Sequence, residues 1–501
     1  MVTRLAGAEA VSLQTQRSSA PAHSVAVIIL EASNQLSHRR LHQWVAGSLP
    51  QLARFRGRLV TKPLGIGHPV WADIVDYDPF RQIHCATVRP PGGRTELADL
   101  VVDLTSGRLT SHEQLWEAWT VDGLADGRWA LVVKMSPALN DGCAGLASWW
   151  PRLFSRGPHL GVVDDLPVEP SLGPAPSAGE LVLDALTELL ENQVTGMWLA
   201  AATASGALQT VRGRLFGSKR DSAASVDSST RRPSPQTVFN APLTERRAVA
   251  FTSLSLADAR AVSTAFGGSV TNVVLAACTL SLRAWMQRYD RVPRNPLSMR
   301  IPFELPATYP PRIGPALAAG RLRIPVHLDD PVQVLANLHT ATERLNEVRR
   351  NGVEYDYPAV DFATMAALVP PGMSQFAMQL YIHSGLRRQF RPNSHGNVSY
   401  IDVEPTPAYC AGTKVVGMYN LSPLAESSGL NIAFSARGEE LDVSVCACPD
   451  NVPAVDALAN GIADSVDLLL AAAQESPRGM GPSVVTEMAS HPANQQRGES
   501  T

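Results

Sequence analysis

The chain has 501 residues, and its 43 lysine and arginine residues against 46 aspartate and glutamate residues give a formal net charge of −3. It is 45% hydrophobic and 18% charged. This composition is too apolar for a disordered chain, and the length is sufficient for more than one globular domain. The nearly balanced charge argues against nucleic acid as a partner, because nucleic-acid-binding proteins carry a basic surface for phosphates.

Six cysteines are scattered along the chain, which is far from a disulfide framework and favours a cytoplasmic protein. Cys446 and Cys448 form a C-x-C pair on a predicted strand, where two small buried residues are a better interpretation than a metal site. We therefore predict no metal and no cofactor. The N-terminal residues contain no apolar export segment, and no stretch approaches about 18 uninterrupted apolar residues, so no transmembrane helix is expected.

The first half of the chain mixes strand and helix patterns. Residues 24–30 (SVAVIIL) are typical of a strand, and a helix is expected around 38–52. Apolar alternation predicts a second strand over 129–135, followed by a loop at 136–142. A helix is expected after this loop, and further helical stretches are expected over 179–216.

Two composition changes divide the chain. Residues 217–236 are rich in serine, arginine and proline, which is typical of a flexible linker. Residues 474–501 contain few large apolar side chains, so we expect a disordered tail. The predicted domains are therefore 1–216 and 237–473.

The second half repeats the mixture of strands and helices. Its predicted elements are a strand at 248–254, a helix from a Ser255 cap to Phe266, a helix after a Ser269 cap, a helix at 331–349, a hairpin of 430–436 with 441–448, and a helix at 453–473. Strands alternating with helices in both halves indicate an α/β protein with two similar mixed-sheet domains, flanking helices and a cleft between the domains.

The most informative segment is 129–150, WALVVKMSPALNDGCAGLASWW. It resembles the bacterial wax ester synthase/diacylglycerol acyltransferase family of acyl-CoA-dependent acyltransferases, especially its actinobacterial members. The motif of that family is H-H-x-x-x-D-G. Asp141 and Gly142 match the end of the motif, whereas Ser136 and Pro137 replace its two histidines.

Further blocks extend the resemblance over nearly the whole chain. They are 49–60 (LPQLARFRGRLV), 114–117 (QLWE), 251–280 with Thr271-Asn272 where the family has Asn-Asp, 422–424 (SPL) and 429–432 (GLNI). The resemblance implies two similarly built halves that enclose a channel at their interface. It also implies acyl-CoA as substrate and diacylglycerol or a long-chain alcohol as acceptor, with substrate contacts from Asn272 and Asn431. For Asn272, a packing or capping role is an equal alternative.

The departure from the motif has a chemical consequence. In the family the second histidine is the general base that removes a proton from the acceptor alcohol as it attacks the thioester. Pro137 has no titratable group, and Ser136 is not an effective base at neutral pH. Losing a general base typically costs about 10²–10⁴-fold in rate. We expect Asp141 to hold the loop or to cap the following helix, and Gly142 to permit the tight turn.

A substitute base is not apparent, because no H-x-x-x-D occurs anywhere in the sequence. His339 and Glu343 are four residues apart on a predicted helix, and this pair, like His68 and His84, is best interpreted as structural. Three hypotheses remain. The chain is a weakly active diacylglycerol or wax ester acyltransferase, an inactive relative that binds acyl-CoA or lipid as a regulatory module, or a related enzyme with another acceptor or base. Lipid products imply peripheral contact with the inner membrane face or a lipid droplet.

Overall fold

The computed structural model describes residues 3–5, 13, 21–107, 109, 115–139, 149–150, 152–158, 167–191, 234–304, 317–351, 394–401, 408–425 and 428–475. Most of the predicted linker, residues 217–233, and the tail from residue 476 lie outside these residues. Asp141 and Gly142 of the motif also lie outside them. The domain boundaries therefore stay predictions.

The described strands form two six-stranded sheets and one two-stranded sheet. The strands are β1 (Ser24–Leu30), β2 (Gly57–Val60), β3 (Val70–Asp73), β4 (Ile83–Thr87), β5 (Trp116–Asp122), β6 (Trp129–Met135), β7 (Ala248–Ser255), β8 (Leu297–Glu304), β9 (Leu317–Ile324), β10 (Gly396–Ile401), β11 (Tyr409–Cys410), β12 (Thr413–Leu421), β13 (Leu430–Arg437) and β14 (Glu440–Ala447). The first sheet has the order β11-β12-β1-β6-β5-β4, and the second has the order β7-β14-β13-β10-β8-β9. The mixed α/β class predicted from the sequence is confirmed.

Helices cover the sheets. They are α1 (His38–Ser48), α2 (Arg94–Thr105), α3 (178–191), α4 (Leu256–Phe266), α5 (Val270–Tyr289), α6 (Pro331–Asn351) and α7 (Val455–Glu475). The predicted caps of α4 and α5 are confirmed, since Ser255 and Ser269 each accept a hydrogen bond from the third residue of the helix. Within the described ranges, no single helix combines the length and apolar character needed to cross a bilayer; α4 and α5 meet that test only together, across a bend of 100°.

A strand from the second half of the chain completes the first sheet. β12 pairs antiparallel with β1, so that Val27 lies opposite Tyr419. On its other side β1 pairs antiparallel with β6, from Ser24 opposite Met135 to Leu30 opposite Trp129. The two halves of the chain are therefore joined by backbone hydrogen bonds as well as by packing.

The faces of both sheets follow the alternation of side chains along each strand. In β13, Leu430, Ile432 and Phe434 belong to the core beneath α5 and α7. Asn431 and Ser435 alternate with them and face the first sheet, where Ser435 accepts a hydrogen bond from β12. The surface between the two sheets is therefore partly polar.

A buried ion-pair network ties the N-terminal residues and the loop between β2 and β3 to α3. The Lys62 side chain is fully buried, with its Nζ 2.5 Å from Asp184 Oδ2 and in contact with the Glu188 carboxylate. Glu188 also binds the imidazole of His68, and Arg4 binds Asp184. Burial acts to raise the pKa of Glu188, but hydrogen bonds from His68 and Lys62 outweigh it and lower that pKa to about 2. His68 therefore has the structural role predicted for it.

The Glu188→Ala variant should lose about 3–5 kcal/mol of unfolding free energy at pH 7, because Lys62 then keeps a buried charge with fewer partners. A carboxylate with a depressed pKa stabilises the fold above its unfolded-state value of about 4.5, and this stabilisation is lost as the pH falls towards 2. The difference from wild type should therefore shrink below pH 4.5. Urea unfolding at several pH values measures both effects.

The matched control is Glu191→Ala, on the same helix as Glu188. It removes a carboxylate that is 56% exposed and that pairs with Arg4. Its cost should stay below about 1 kcal/mol. Equal losses for the two variants would contradict the assignment of Glu188 as the centre of the network.

Candidate active site

The motif turn leaves the first sheet directly after β6. Ser136 is 3% exposed, and its N–H donates to the Leu115 carbonyl at 2.7 Å. Its hydroxyl accepts a weak hydrogen bond from the Ala138 N–H at 3.3 Å. Pro137–Leu139 then form a single 3₁₀ turn, whose Ala138 and Leu139 are buried in the core. Neither former histidine position now offers a base.

One histidine outside the motif, His23, precedes the end of β1 that is nearest to this turn. His23 immediately precedes β1, whose first residue Ser24 lies opposite Met135. The pairing of β1 with β6 ends there, and the motif turn begins one residue later, at Ser136. Directly opposed residues of an antiparallel pair project from the same face of the sheet. Lys134 lies opposite Val25, so both side chains are on one face of the sheet, and the charge of Lys134 acts on the His23 imidazole.

The surroundings of His23 keep its imidazole neutral. Burial lowers the pKa of His23 to about 3, and the positive charges of Lys134 and Arg247 add to this effect, while a hydrogen bond with the Thr105 main chain opposes it. Lys134 is itself 2% exposed, with its Nζ 3.5 Å from Glu117 Oε2. A neutral imidazole can accept a proton, but its low pKa makes it a weaker base than one that titrates near neutrality.

Sequence reasoning missed His23. The motif gives no pointer to this residue, because His23 lies more than a hundred residues before it. A histidine at the start of a buried strand is the only local signal. Only the pairing of β1 with β6 reveals its position.

Asn272 connects two helices. Its Nδ2 lies 3.0 Å from Nδ1 of His339, and its Oδ1 accepts from the Thr342 hydroxyl at 2.8 Å. Both polar atoms of the amide are therefore engaged by α6, which favours the packing alternative. His339 contacts Asn272 across the helix interface rather than serving only as a surface residue. A substrate contact from Asn272 stays a prediction.

Asn431, unlike Asn272, has an amide group that is not fully hydrogen-bonded. It is 1% exposed on β13, and its Nδ2 has no hydrogen-bond partner among the described residues. Its side chain lies on the face of the second sheet that is turned to the first. Most buried side-chain polar groups in proteins have a hydrogen-bond partner, so this unpaired donor needs an explanation. A substrate contact from Asn431 stays a prediction.

A cavity of about 550 Å³ opens between the sheets at the other end of β1. Its wall includes Ile29 of β1, which lies opposite Ala130 of β6. Ala130 is six residues before Ser136 in the chain. At about 3.4 Å per residue, the cavity is roughly 20 Å from the motif turn. Its charged and polar lining comprises Arg94, Arg128, Ser253, Lys414, Tyr419, Arg437 and Glu440.

The cations of this cavity differ in how far they are already neutralised. Arg437 forms ion pairs with Glu440 and with Asp442, whose Oδ2 is 2.9 Å from its Nε. Arg94 and Lys414 are exposed, and Arg94 donates to a serine hydroxyl at 3.3 Å. Arg128 pairs with Asp126 at 3.6 Å, so Arg94 and Lys414 give the cavity the positive character that suits an anionic ligand.

Known proteins resemble the chain along most of its length. Two Mycobacterium tuberculosis proteins that bear the name putative diacylglycerol O-acyltransferase are similar to it. One is 26% identical over 485 residues, covering 95% of this chain and 92% of that protein; the other is 28% identical over 455 residues, covering 88% and 90%.

Solved structures show the same fold. The wax ester synthase/diacylglycerol acyltransferase from Marinobacter aquaeolei VT8 superimposes with a TM-score of 0.66 at 19% identity, covering 94% of this chain and all of that one. The first condensation domain of the calcium-dependent antibiotic synthetase gives a TM-score of 0.54 at 15% identity, covering 95% and 97%.

Sequence profiles of the family match both halves of the chain. The wax ester synthase/diacylglycerol acyltransferase catalytic domain matches residues 5–274, which is more than half of the chain. The C-terminal domain of the same family matches residues 314–469. The chain therefore belongs to the wax ester synthase/diacylglycerol acyltransferase family.

Proposed function

We propose that this chain transfers a fatty acyl group from acyl-CoA to the hydroxyl group of diacylglycerol or a long-chain alcohol, more slowly than relatives with an intact motif. The family is acyl-CoA dependent, and its members carry this class of reaction in their names. The observation that carries the proposal is His23, a neutral imidazole just before β1, at the end where β1 pairs with the last residue of β6 before the altered turn. It supplies a proton acceptor where Ser136 and Pro137 supply none.

In the proposed reaction, the acceptor hydroxyl oxygen attacks the thioester carbonyl. The imidazole of His23 takes the hydroxyl proton, the C–O bond forms, and the C–S bond breaks. The proton then passes to the departing thiolate, so the products are an ester and CoA with a free thiol. A thioester is intrinsically activated, and positioning two reactants in one site provides a large part of the remaining acceleration.

The positive cavity is proposed as the site for the phosphates of CoA. Arg94 and Lys414 are two exposed cations there, while the third, Arg128, already pairs with Asp126 at 3.6 Å. Hydrogen bonds to charged groups are worth about 1.5–3 kcal/mol each. From the cavity, an extended pantetheine arm would follow β1 towards the motif turn. Asn431 is the proposed amide contact in the same inter-sheet region.

The Arg94→Gln/Lys414→Gln variant should raise the KM for acyl-CoA at least about tenfold and leave kcat within a factor of two. The acyl thioester of N-acetylcysteamine lacks the nucleotide phosphates, so the variant should use it as well as wild type does. Steady-state kinetics with both thioesters measures the difference. Arg81→Gln, which removes a cation that is 81% exposed, is the matched control.

Equal KM changes for acyl-CoA and the N-acetylcysteamine thioester would contradict this placement of the phosphates. So would a KM increase of similar size in Arg81→Gln.

The proposal as a whole is tested by incubating purified protein with labelled long-chain acyl-CoA and either diacylglycerol or a long-chain alcohol. Release of CoA thiol and formation of neutral ester should rise together and depend on the acceptor. Binding of acyl-CoA without ester formation would overturn the proposal in favour of the second candidate, a non-catalytic acyl-CoA-binding module. Peripheral contact with a membrane or lipid droplet belongs to the same proposal, because both acceptor and product are lipids.

A further inference from the structure

A second cluster of reactive side chains lies on the opposite face of the first sheet from His23. Helix α1 packs over β4 and β5 at the edge of that sheet. His38 and His42 are one helical turn apart, so their side chains lie on the same side of α1. They face Cys85 of β4, which pairs in parallel register with Thr120 of β5.

The spacing of these three side chains suits a metal ion. One ligand atom from each of His38, His42 and Cys85 lies within 4.8 Å of the other two. The Nε2 of His42 is 3.5 Å from the Sγ of Cys85. Tetrahedral zinc, with Zn–N near 2.05 Å and Zn–S near 2.3 Å, needs an N···S separation of about 3.6 Å. This pair of atoms already has the required separation.

The second histidine is oriented as a ligand. The Nε2 of His38 is 3.2 Å from the Asp122 carboxylate, which favours a proton on that nitrogen. Its Nδ1 then presents a lone pair, 2.8 Å from the Thr120 hydroxyl. The same hydroxyl lies 3.1 Å from Nε2 of His42 and 3.2 Å from the His84 carbonyl, so its one proton cannot serve both imidazoles. Histidines that bind a metal usually donate the N–H of their other ring nitrogen to a carboxylate or a carbonyl, as His38 can to Asp122.

We propose that His38, His42 and Cys85 bind one divalent transition-metal ion of the zinc class, with Asp122 orienting His38. Two imidazoles and a thiolate are the ligand types that zinc prefers. Because Cys85 is exposed, solvent can reach the ion and provide a fourth ligand.

The ion would clamp α1 onto the edge of the sheet. Thr120 lies opposite Leu131, and Leu131 is five residues before Ser136 along β6. The cluster is therefore roughly 17 Å from the motif turn, on the other face of the first sheet from His23. The site therefore has a structural role and does not depend on the proposed acyl transfer.

Chelator-treated, untagged full-length protein is titrated with Co²⁺ and with Zn²⁺. We expect one ion per chain, a thiolate-to-cobalt charge-transfer absorption, displacement of Co²⁺ by Zn²⁺, and a higher melting temperature with Zn²⁺. Cys85→Ser should abolish the charge-transfer band, and His42→Gln should weaken binding at least 100-fold. Asp122→Asn should weaken it about 10–100-fold.

His84→Gln is the matched control, because this exposed neighbour of Cys85 does not belong to the ligand set, and it should bind as wild type does. Absence of stoichiometric binding to the folded wild-type protein would overturn the proposal. Retention of the same band and affinity in Cys85→Ser would overturn it as well.

Discussion

The Ser136→His/Pro137→His variant should form neutral ester about 10²–10⁴ times faster than the unaltered chain. These two positions follow β6 at the point where the family places its catalytic histidines. A histidine there restores the base at the motif position itself, whereas burial and neighbouring cations lower the pKa of His23 to about 3 and make it a weaker base. The rate of ester formation at saturating acyl-CoA and acceptor measures the gain.

Two controls accompany this variant. Because Ser136 is 3% exposed, a larger side chain risks overpacking at a cost of about 1–3 kcal/mol, so urea unfolding of the variant is measured alongside its rate. Ser136→Asn/Pro137→Asn changes the same positions without adding a base and should show no gain. A rate equal to wild type in a folded histidine variant would contradict the account of the turn as a former catalytic loop.

His23→Gln should lower the residual kcat of the unaltered chain by about 10²-fold or more. Glutamine retains hydrogen-bonding groups that can reach the Thr105 main chain, but it cannot take a proton from the acceptor hydroxyl. The KM for acyl-CoA should change little, since the proposed phosphate site is roughly 20 Å away. Steady-state kinetics separates these two effects.

The control for this variant is His84→Gln, which removes an exposed imidazole on β4 of the same sheet. Its kcat should match wild type. An unchanged kcat in His23→Gln, with ester still formed by the unaltered chain, would mean that some other group accepts the proton.

Local patterns in the sequence predicted the elements well where the apolar period was strong. The strand predicted at 129–135 coincides with β6, and the predicted hairpin differs from β13 and β14 by one residue at its ends. The helix predicted over 38–52 ends earlier, at Ser48, because Pro50 lies in a 3₁₀ turn that follows it.

Features that depend on distant pairing could not be predicted in the same way. The insertion of β12 into the first sheet joins residues about 400 positions apart, and no local period encodes such a contact. His23 becomes relevant only through the register of β1 with β6. By contrast, the spacing of His38 and His42 is a signal readable in the sequence, although Cys85 is placed beside them only by the fold.

The most direct test of the central claim is a double-mutant cycle of kcat that combines His23→Gln with Ser136→His/Pro137→His. If His23 replaces the lost base, its substitution should cost about 10²-fold in the unaltered chain and less than about threefold once the motif histidines are present. An equal cost in both backgrounds would show that His23 supports the fold rather than the proton transfer, and would contradict the account.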